Sequence, residues 1–277
     1  MKNNQQLFTE VTEKLTQIGV DSPEAEARMI FEKIFMRDFR ELVLDRFFVE
    51  PQVLTKIETI LSRRRNHEPI QYILGVAPFY NYELFVNNHV LIPRPETEIL
   101  VEYLIKNIPQ NGTLLDIGCG SGTIGVTVAY ERRDVQVTAI DVSLNALQVA
   151  EKNRDRYNLT NVKFYQSDLF SNIKGKFDFI AANLPYIPEF EYLECAKEVL
   201  DYEPKLALVA ENNGLELIFK TADDAANFLT PNGEIIFENG YNQAQEIANY
   251  LRKLNKFREI SILNDYNNYQ RFTLGKI

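Results

Sequence analysis

Along the first 75 residues the apolar positions recur at helical spacing and nowhere alternate as they would in a strand. Leu7, Phe8, Val11, Leu15 and Ile18 share one face, and Gly19 supplies a C-terminal stop. Ser22-Pro23-Glu24 reads as a start signal, a capping side chain followed by proline where a missing N–H costs nothing. Met29, Ile30, Ile34 and Phe35 fall on one face of the next helix. A third helix is predicted from about Glu50 to Asn66 through Val53, Leu54, Ile57 and Leu61. A small helical bundle over residues 1–75 is therefore expected.

The texture changes near Gly75. Phe79 to Val86 is aromatic and β-branched, Asn87-Asn88 makes a turn, and Val90-Leu91-Ile92 answers as a second strand. This predicts a β-hairpin linking two domains over residues 76–95. Pro93 and Pro95 close it before a helix from about Glu96 to Ile108. From Thr113 short apolar runs alternate with helical segments. The runs are Leu114–Ile117, Val135–Ile140, Val162–Tyr165, Phe177–Ala181 and Glu234–Phe237, and two more strands follow at Ile260–Leu263 and Arg271–Leu274. Alternation of this length predicts an α/β domain over 96–277, with a doubly wound, mostly parallel seven-stranded sheet covered on both faces.

Composition sets the class and charge narrows the partners. Among 277 residues, 45% are hydrophobic and 25% charged, which excludes wholesale disorder, a collagen-like chain and a disulfide scaffold. The net charge is −9, and it is unevenly placed. Residues 1–75 carry 11 basic and 12 acidic side chains, the rest of the chain 19 and 27. An acidic α/β part argues against direct nucleic-acid binding. The nearly neutral helical part holds the one basic cluster, Arg63-Arg64-Arg65, which suits either an acidic partner or the helix's own C-terminal dipole. Cys119 and Cys195 lack ligand spacing, the N-terminus is polar, and no apolar run nears the roughly 20 residues that span a bilayer. A soluble cytoplasmic protein is expected, away from membranes.

Two motifs carry chemistry. Asp116-Ile117-Gly118-Cys119-Gly120-Ser121-Gly122 lies where a strand passes into a helix, so that glycines permit a tight turn and a close backbone approach to a ligand. Thr123 occupies the third glycine position of the dinucleotide fingerprint, which disfavours a nicotinamide cofactor. Asp141 ends the next apolar run, 19 residues beyond Gly122, placed to accept hydrogen bonds from both ribose hydroxyls. Together these favour S-adenosylmethionine. The second motif, Asn183-Leu184-Pro185-Tyr186, follows a strand whose carboxyl end lines the ligand crevice. An asparagine carbonyl and a neighbouring main-chain carbonyl can accept both hydrogens of a planar NH2 group, and a tyrosine ring can stack on its plane. The pattern suits methylation of an amide or an exocyclic amine. No metal is called for, because the sulfonium methyl is already activated. His67 and His89 read as ordinary surface or hairpin residues, and Cys119 as a small residue filling the loop.

At this point the sequence resembles the peptide chain release factor glutamine N5-methyltransferases, the HemK family. The likeness rests on both motifs, on Arg63-Arg64 with Glu68–Gly75, and on Leu91-Ile92-Pro93-Arg94-Pro95-Glu96-Thr97-Glu98. It continues in Glu203–Leu208 with Asn213-Gly214-Leu215, and in Phe237-Glu238-Asn239-Gly240 with Gln243. The resemblance implies an N-terminal substrate-recognition domain (1–75), a hairpin linker (76–95) and a class I methyltransferase domain (96–277). It implies S-adenosylmethionine on Gly118, Cys119, Gly120, Ser121 and Gly122, with Asp141 on the ribose and Leu169 against the adenine, where the family tends to carry an aromatic residue. Asn183, Pro185 and Tyr186 would be catalytic, with Asn183 also bordering the cofactor and Leu184 completing the substrate site. The implied substrate is the glutamine of the Gly-Gly-Gln loop of class 1 release factors, methylated by a monomer, with an effect on translation termination. The family's tetrapeptide is Asn-Pro-Pro-Tyr, and Leu184 departs from it, losing proline's fixed φ. Two alternatives stand beside this reading: an N6-adenine methyltransferase acting on DNA or RNA, and a non-catalytic relative that binds release factor.

Overall fold

A computed structural model describes residues 2–277. The chain divides into two compact units, Met1–Gly75 and Val76–Ile277. The first holds helices α1 (Asn4–Gln17), α2 (Pro23–Phe35), α3 (Phe39–Leu44), α4 (Pro51–Arg65) and α5 (Ile70–Leu74). Leu7, Val11 and Leu15 of α1, Ala27, Ile30 and Phe31 of α2, and Ile57 and Leu61 of α4 form its buried centre. Asn3 caps α1 reciprocally with Gln6. Ser22 makes no side-chain cap bond, so the start of α2 rests on Pro23. The short α3 and α5 were not expected from periodicity, being barely one turn each. Of the basic cluster only Arg64 is internal; Arg63 and Arg65 are exposed. Arg64 is buried and forks onto Glu26 of α2 at 2.8 and 3.1 Å, and Arg63 pairs with Glu68 at 2.5 Å.

In the second unit, β1 (Val76–Phe79) and β2 (Tyr82–Phe85) form an antiparallel hairpin. The predicted register is corrected here. The turn lies at Tyr80-Asn81, with Tyr80 at φ +57°, and Val90–Ile92 is not a strand. Asn87 does make the expected turn, its carbonyl accepting the Val90 N–H at 3.1 Å. The Ile92 N–H faces the Glu203 carboxylate at 3.4 Å instead of a ladder partner, and Pro93 has no N–H to offer.

The remaining elements build the sheet and its covers: α6 (Thr97–Asn107), β3 (Thr113–Ile117), α7 (Thr123–Glu131), β4 (Gln136–Asp141), α8 (Leu144–Arg156), β5 (Val162–Gln166), β6 (Phe177–Ala182), α9 (Glu189–Tyr192), α10 (Lys197–Tyr202), α11 (Glu216–Phe228), β7 (Leu229–Glu238), α12 (Ala244–Leu254), β8 (Glu259–Asn264) and β9 (Gln270–Lys276). The strand order is β5-β4-β3-β6-β7-β9-β8, with β9 antiparallel to both its neighbours and the other pairs parallel. Side chains alternate across the pleat. Leu114, Ala139, Phe179, Ala181 and Ile236 pack with α6, α7 and α8, whereas Leu115, Ile117, Ile140, Ile180 and Ile235 pack with α11 and α12. Burial on both faces explains why these strands read as unbroken apolar runs. It also places the carboxyl ends of β3, β4 and β6 at one edge, where the first two motifs emerge.

Candidate active site

A cavity of about 480 Å³ opens at that edge, within the roughly 300–1,000 Å³ range of small-ligand pockets. Gly118, Cys119, Gly120, Ser121, Asp141, Leu169, Asn183, Leu184 and Pro185 line it. Gly122 and Tyr186 do not. Gly122 sits at the start of α7 with φ +81°, and a Cβ there would meet Val126 at 2.7 Å and Ala150 at 3.3 Å. Its role is helix packing. Tyr186 packs against the cluster formed with α11 and α12, and burial pushes its phenol up.

The glycine loop takes its shape from β4. The N–H groups of Gly118 and Cys119 both donate to the Ile140 carbonyl at 2.9 Å. Gly118 and Gly120 lie at φ +73° and +55°, conformations costly for other residues. A Cβ on Gly118 would stand 3.1 Å from the Leu184 side chain and 3.4 Å from the Asn183 carbonyl, so this glycine is what lets the two motif loops touch. Asp141 accepts from the Gly120 N–H at 2.9 Å through one oxygen and from the Ser143 N–H at 2.8 Å through the other. Burial raises its carboxyl despite these donors. Each oxygen keeps a further lone pair for a ligand hydroxyl.

Beneath the loop, Asp116 is fully buried. One oxygen accepts the Gly125 N–H at 2.9 Å, the other has no hydrogen-bond partner, and desolvation lifts its pKa to about 7. On the far side, Leu169 stands at φ +45°, a strained conformation for leucine, with its carbonyl held by the Ser167 hydroxyl at 2.7 Å. Asn153, buried in α8, binds the loop to the hairpin: its NH2 donates to the carbonyls of Ser121 (2.8 Å) and Phe85 (3.0 Å), and its oxygen accepts the Phe85 N–H at 2.6 Å.

The Asn183–Tyr186 loop is braced from elsewhere in the chain. Gln243 donates to the Tyr186 carbonyl at 2.8 Å and to the Asn213 carbonyl at 3.0 Å. Gly214 passes so close that a Cβ would lie 1.9 Å from the Tyr186 oxygen. The buried Glu203 carboxylate holds Arg94 at 2.6 Å, keeping the arginine on the cavity wall. Thr97 borders the cavity beside Asn183 and accepts from its Nδ2 at 3.4 Å, while donating to the buried Glu238 at 2.8 Å. His89 also lines the cavity, where the sequence suggested only a hairpin position. Arg94, Thr97, Glu203, Glu238 and Gln243 all fall in motifs whose roles were not legible, because their partners are distant in the chain.

The fold is that of the class I α/β methyltransferases. Residues 95–215 match the family model "Methyltransferase small domain" and residues 6–75 the "PrmC N-terminal domain". The fold is shared with a crystal structure of a methyltransferase from Pyrococcus furiosus, at 18% identity and a TM-score of 0.54 over 70% of this chain and 87% of that one. A release factor glutamine methyltransferase of Streptococcus pneumoniae is 37% identical over 94% of this chain and 93% of its own length. The chain belongs to the release factor glutamine methyltransferase family. A bifunctional methyltransferase of Rickettsia conorii is 36% identical over 88% of this chain, which spans about half (52%) of that longer relative. No described helix is long and apolar enough to cross a membrane.

Proposed function

We propose that the chain methylates the side-chain amide nitrogen of a glutamine, the one in the Gly-Gly-Gln loop of class 1 release factors, using S-adenosylmethionine. The observation that carries this is the contact between the two motif loops at Gly118, which sets a nucleoside-type site and an amide-type site side by side in one cavity. The residues fit the cofactor. Asp141 offers two acceptor oxygens for a ribose diol, Gly118–Ser121 supply a backbone surface, and Leu169 offers an apolar face to adenine. When bound, that group supplies an activated methyl electrophile.

The chain's own residues then act by positioning. Asn183 and the main-chain carbonyl of Leu184 accept the two hydrogens of the glutamine NH2 and aim its lone pair. Pro185 stiffens the loop, and Tyr186, outside the cavity lining and braced through its carbonyl, anchors the loop instead of stacking on the amide. Placed dipoles and proximity of this kind supply several kcal/mol. The proton leaves once the nitrogen is alkylated. Residues 1–75 are assigned to docking the release factor, with Met36 and Leu44 exposed at 81% and 87% as apolar contacts. A cytoplasmic monomer, bound neither to membrane nor to nucleic acid, fits this role and would tune translation termination.

The test is mass analysis of the Gly-Gly-Gln peptide after incubating chain, S-adenosylmethionine and purified release factor. One added methyl on the glutamine is expected. Methyl incorporation into nucleic acid alone would point to an N6-adenine enzyme, and cofactor binding without transfer to a non-catalytic binder.

A further inference from the structure

Two buried side chains have no part in the reaction as described: Thr97, which borders the cavity beside Asn183, and Glu238, which lies behind Thr97. Thr97, at the start of α6, is 2% exposed, and Glu238, at the end of β7, is 1% exposed. The Thr97 hydroxyl donates to Glu238 Oε2 at 2.8 Å. Asn183 Nδ2 donates to Thr97 Oγ1 at 3.4 Å.

The chemistry of these groups gives the chain of bonds a direction. An ionised carboxylate only accepts, so the Thr97 proton is committed to Glu238 and Oγ1 is left as an acceptor. The Asn183 atom facing Thr97 must then be its NH2. A carboxamide's two ends are nearly the same size, so packing alone does not choose between them; the hydrogen-bond polarity does. With the NH2 turned inward, Oδ1 is left for the cavity that Asn183 lines. The opposite orientation would set a donor against a substrate NH2.

We propose that Glu238, acting through Thr97, is the positioning group that fixes which end of the Asn183 carboxamide faces the cavity, presenting oxygen to the substrate amide. This rests on the reading of a glutamine amide as methyl acceptor. The polarity requires ionised Glu238, because a protonated carboxyl could donate to Thr97 and reverse the chain. Burial raises Glu238 to about 7; Arg271 of β9 opposes the rise, and Glu96, next to α6, adds to it. Tyr186 is the other titratable group facing it. The correct polarity is accordingly populated above about pH 7 and lost below it.

The test compares wild type with Thr97→Val, which removes the hydroxyl, Thr97→Ser, which keeps it, and Glu238→Gln. Two readouts are taken: turnover on purified release factor, and the side-chain NH2 signals of Asn183 by 15N NMR across the pH midpoint. Thr97→Val should lower kcat about tenfold or more while S-adenosylmethionine affinity stays within about twofold, and Thr97→Ser should recover kcat to within about threefold. The wild-type Asn183 NH2 signals should titrate with a midpoint near 7, and Glu238→Gln should abolish that titration. Wild-type kcat in Thr97→Val, or Asn183 signals unmoved by pH or by the valine, would overturn the proposal. Failure of the wild-type chain to methylate release factor would instead overturn the glutamine reading, and the NMR comparison would still decide the orientation.

Discussion

The two walls of the cavity are built by different means. On the glycine-loop wall the supports come from the next elements along the chain: the turns after β3 and β4 satisfy each other, with Ile140 holding Gly118 and Cys119, and Gly120 and Ser143 holding Asp141, while Asn153 of α8 holds Ser121. On the Asn183 wall almost nothing local holds the loop. Thr97 comes from 86 residues upstream, and Gln243 reaches Tyr186 from 57 residues downstream. On the proposed function, the wall that binds the cofactor is built from successive elements of one stretch of chain. A wall that must aim one planar NH2 group needs side chains brought in from several directions, because every degree of freedom of the loop is a way to miss.

The sharpest way to break this comparison is to remove the aiming group. Asn183→Ala should cut kcat on release factor by roughly 10²-fold or more, as deletion of a single placed dipole does elsewhere. The effect belongs in kcat more than in cofactor affinity, since Asp141 and the glycine loop are untouched. Steady-state kinetics with a cofactor titration would check both. A variant within about twofold of wild type would remove Asn183 from the mechanism.

Gly214→Ala tests the brace. The added Cβ would lie 1.9 Å from the Tyr186 oxygen at a backbone φ of +82°, so the loop has to move. A stability loss of about 1–3 kcal/mol is expected, lowering Tm by several degrees, with a larger fall in turnover than in cofactor binding. Gly120→Ala is its counterpart on the other wall. It has open space around the new Cβ and only the cost of φ +55°, about 1 kcal/mol, so the same measurement should show a smaller loss. If the two variants melt alike, the distinction between a braced and a self-supporting wall fails.

On the cofactor side, Asp141→Asn keeps the shape but loses the charge and exchanges one acceptor oxygen for a donor. S-adenosylmethionine affinity should weaken about tenfold or more, at 1.5–3 kcal/mol for a charged hydrogen bond, with kcat at saturating cofactor nearly preserved. Calorimetry and kinetics together read the split. Equal losses in affinity and in kcat would mean that Asp141 acts on the reaction as well as on binding.

The same asymmetry explains what could be read from the chain. The strands of the sheet, the glycine loop, Asp141 and the Asn183 tetrapeptide are local patterns, each complete within a few residues, and they were legible as such. The hairpin register is not legible locally because its turn uses Tyr80 at positive φ, where no glycine or Asn-Gly pair signals it. Gly122 is indistinguishable in sequence from the ligand-loop glycines, because a glycine needed for packing against Val126 and Ala150 looks the same as one needed for a ligand. Tyr186 was expected at the substrate plane, but its neighbours, Gln243 and the α11–α12 cluster, lie far along the chain. The roles of Thr97, Glu203 and Glu238 have no local signature at all, only their place in longer motifs.

The smallest expected effect concerns Leu184, where the tetrapeptide departs from the Asn-Pro-Pro-Tyr that the resemblance implies. Leu184 is 5% exposed, and its Cδ2 rests where a Cβ on Gly118 would come within 3.1 Å. Leu184→Pro fixes φ near −65° and cuts the freedom of the unfolded chain, a gain of about 0.4–1 kcal/mol where the native backbone is compatible. It also removes part of a buried side chain, and a lost methyl-sized contact costs about 1 kcal/mol. The two nearly cancel, so Tm should move by only a few degrees and kcat by less than about threefold. The physical reason is that the loop's position is already imposed by Gln243, Gly214 and Thr97, leaving little for proline to preorganise. A rise in kcat of about tenfold or more would show the opposite: that the loop's own stiffness, not its distant braces, sets the rate on this wall.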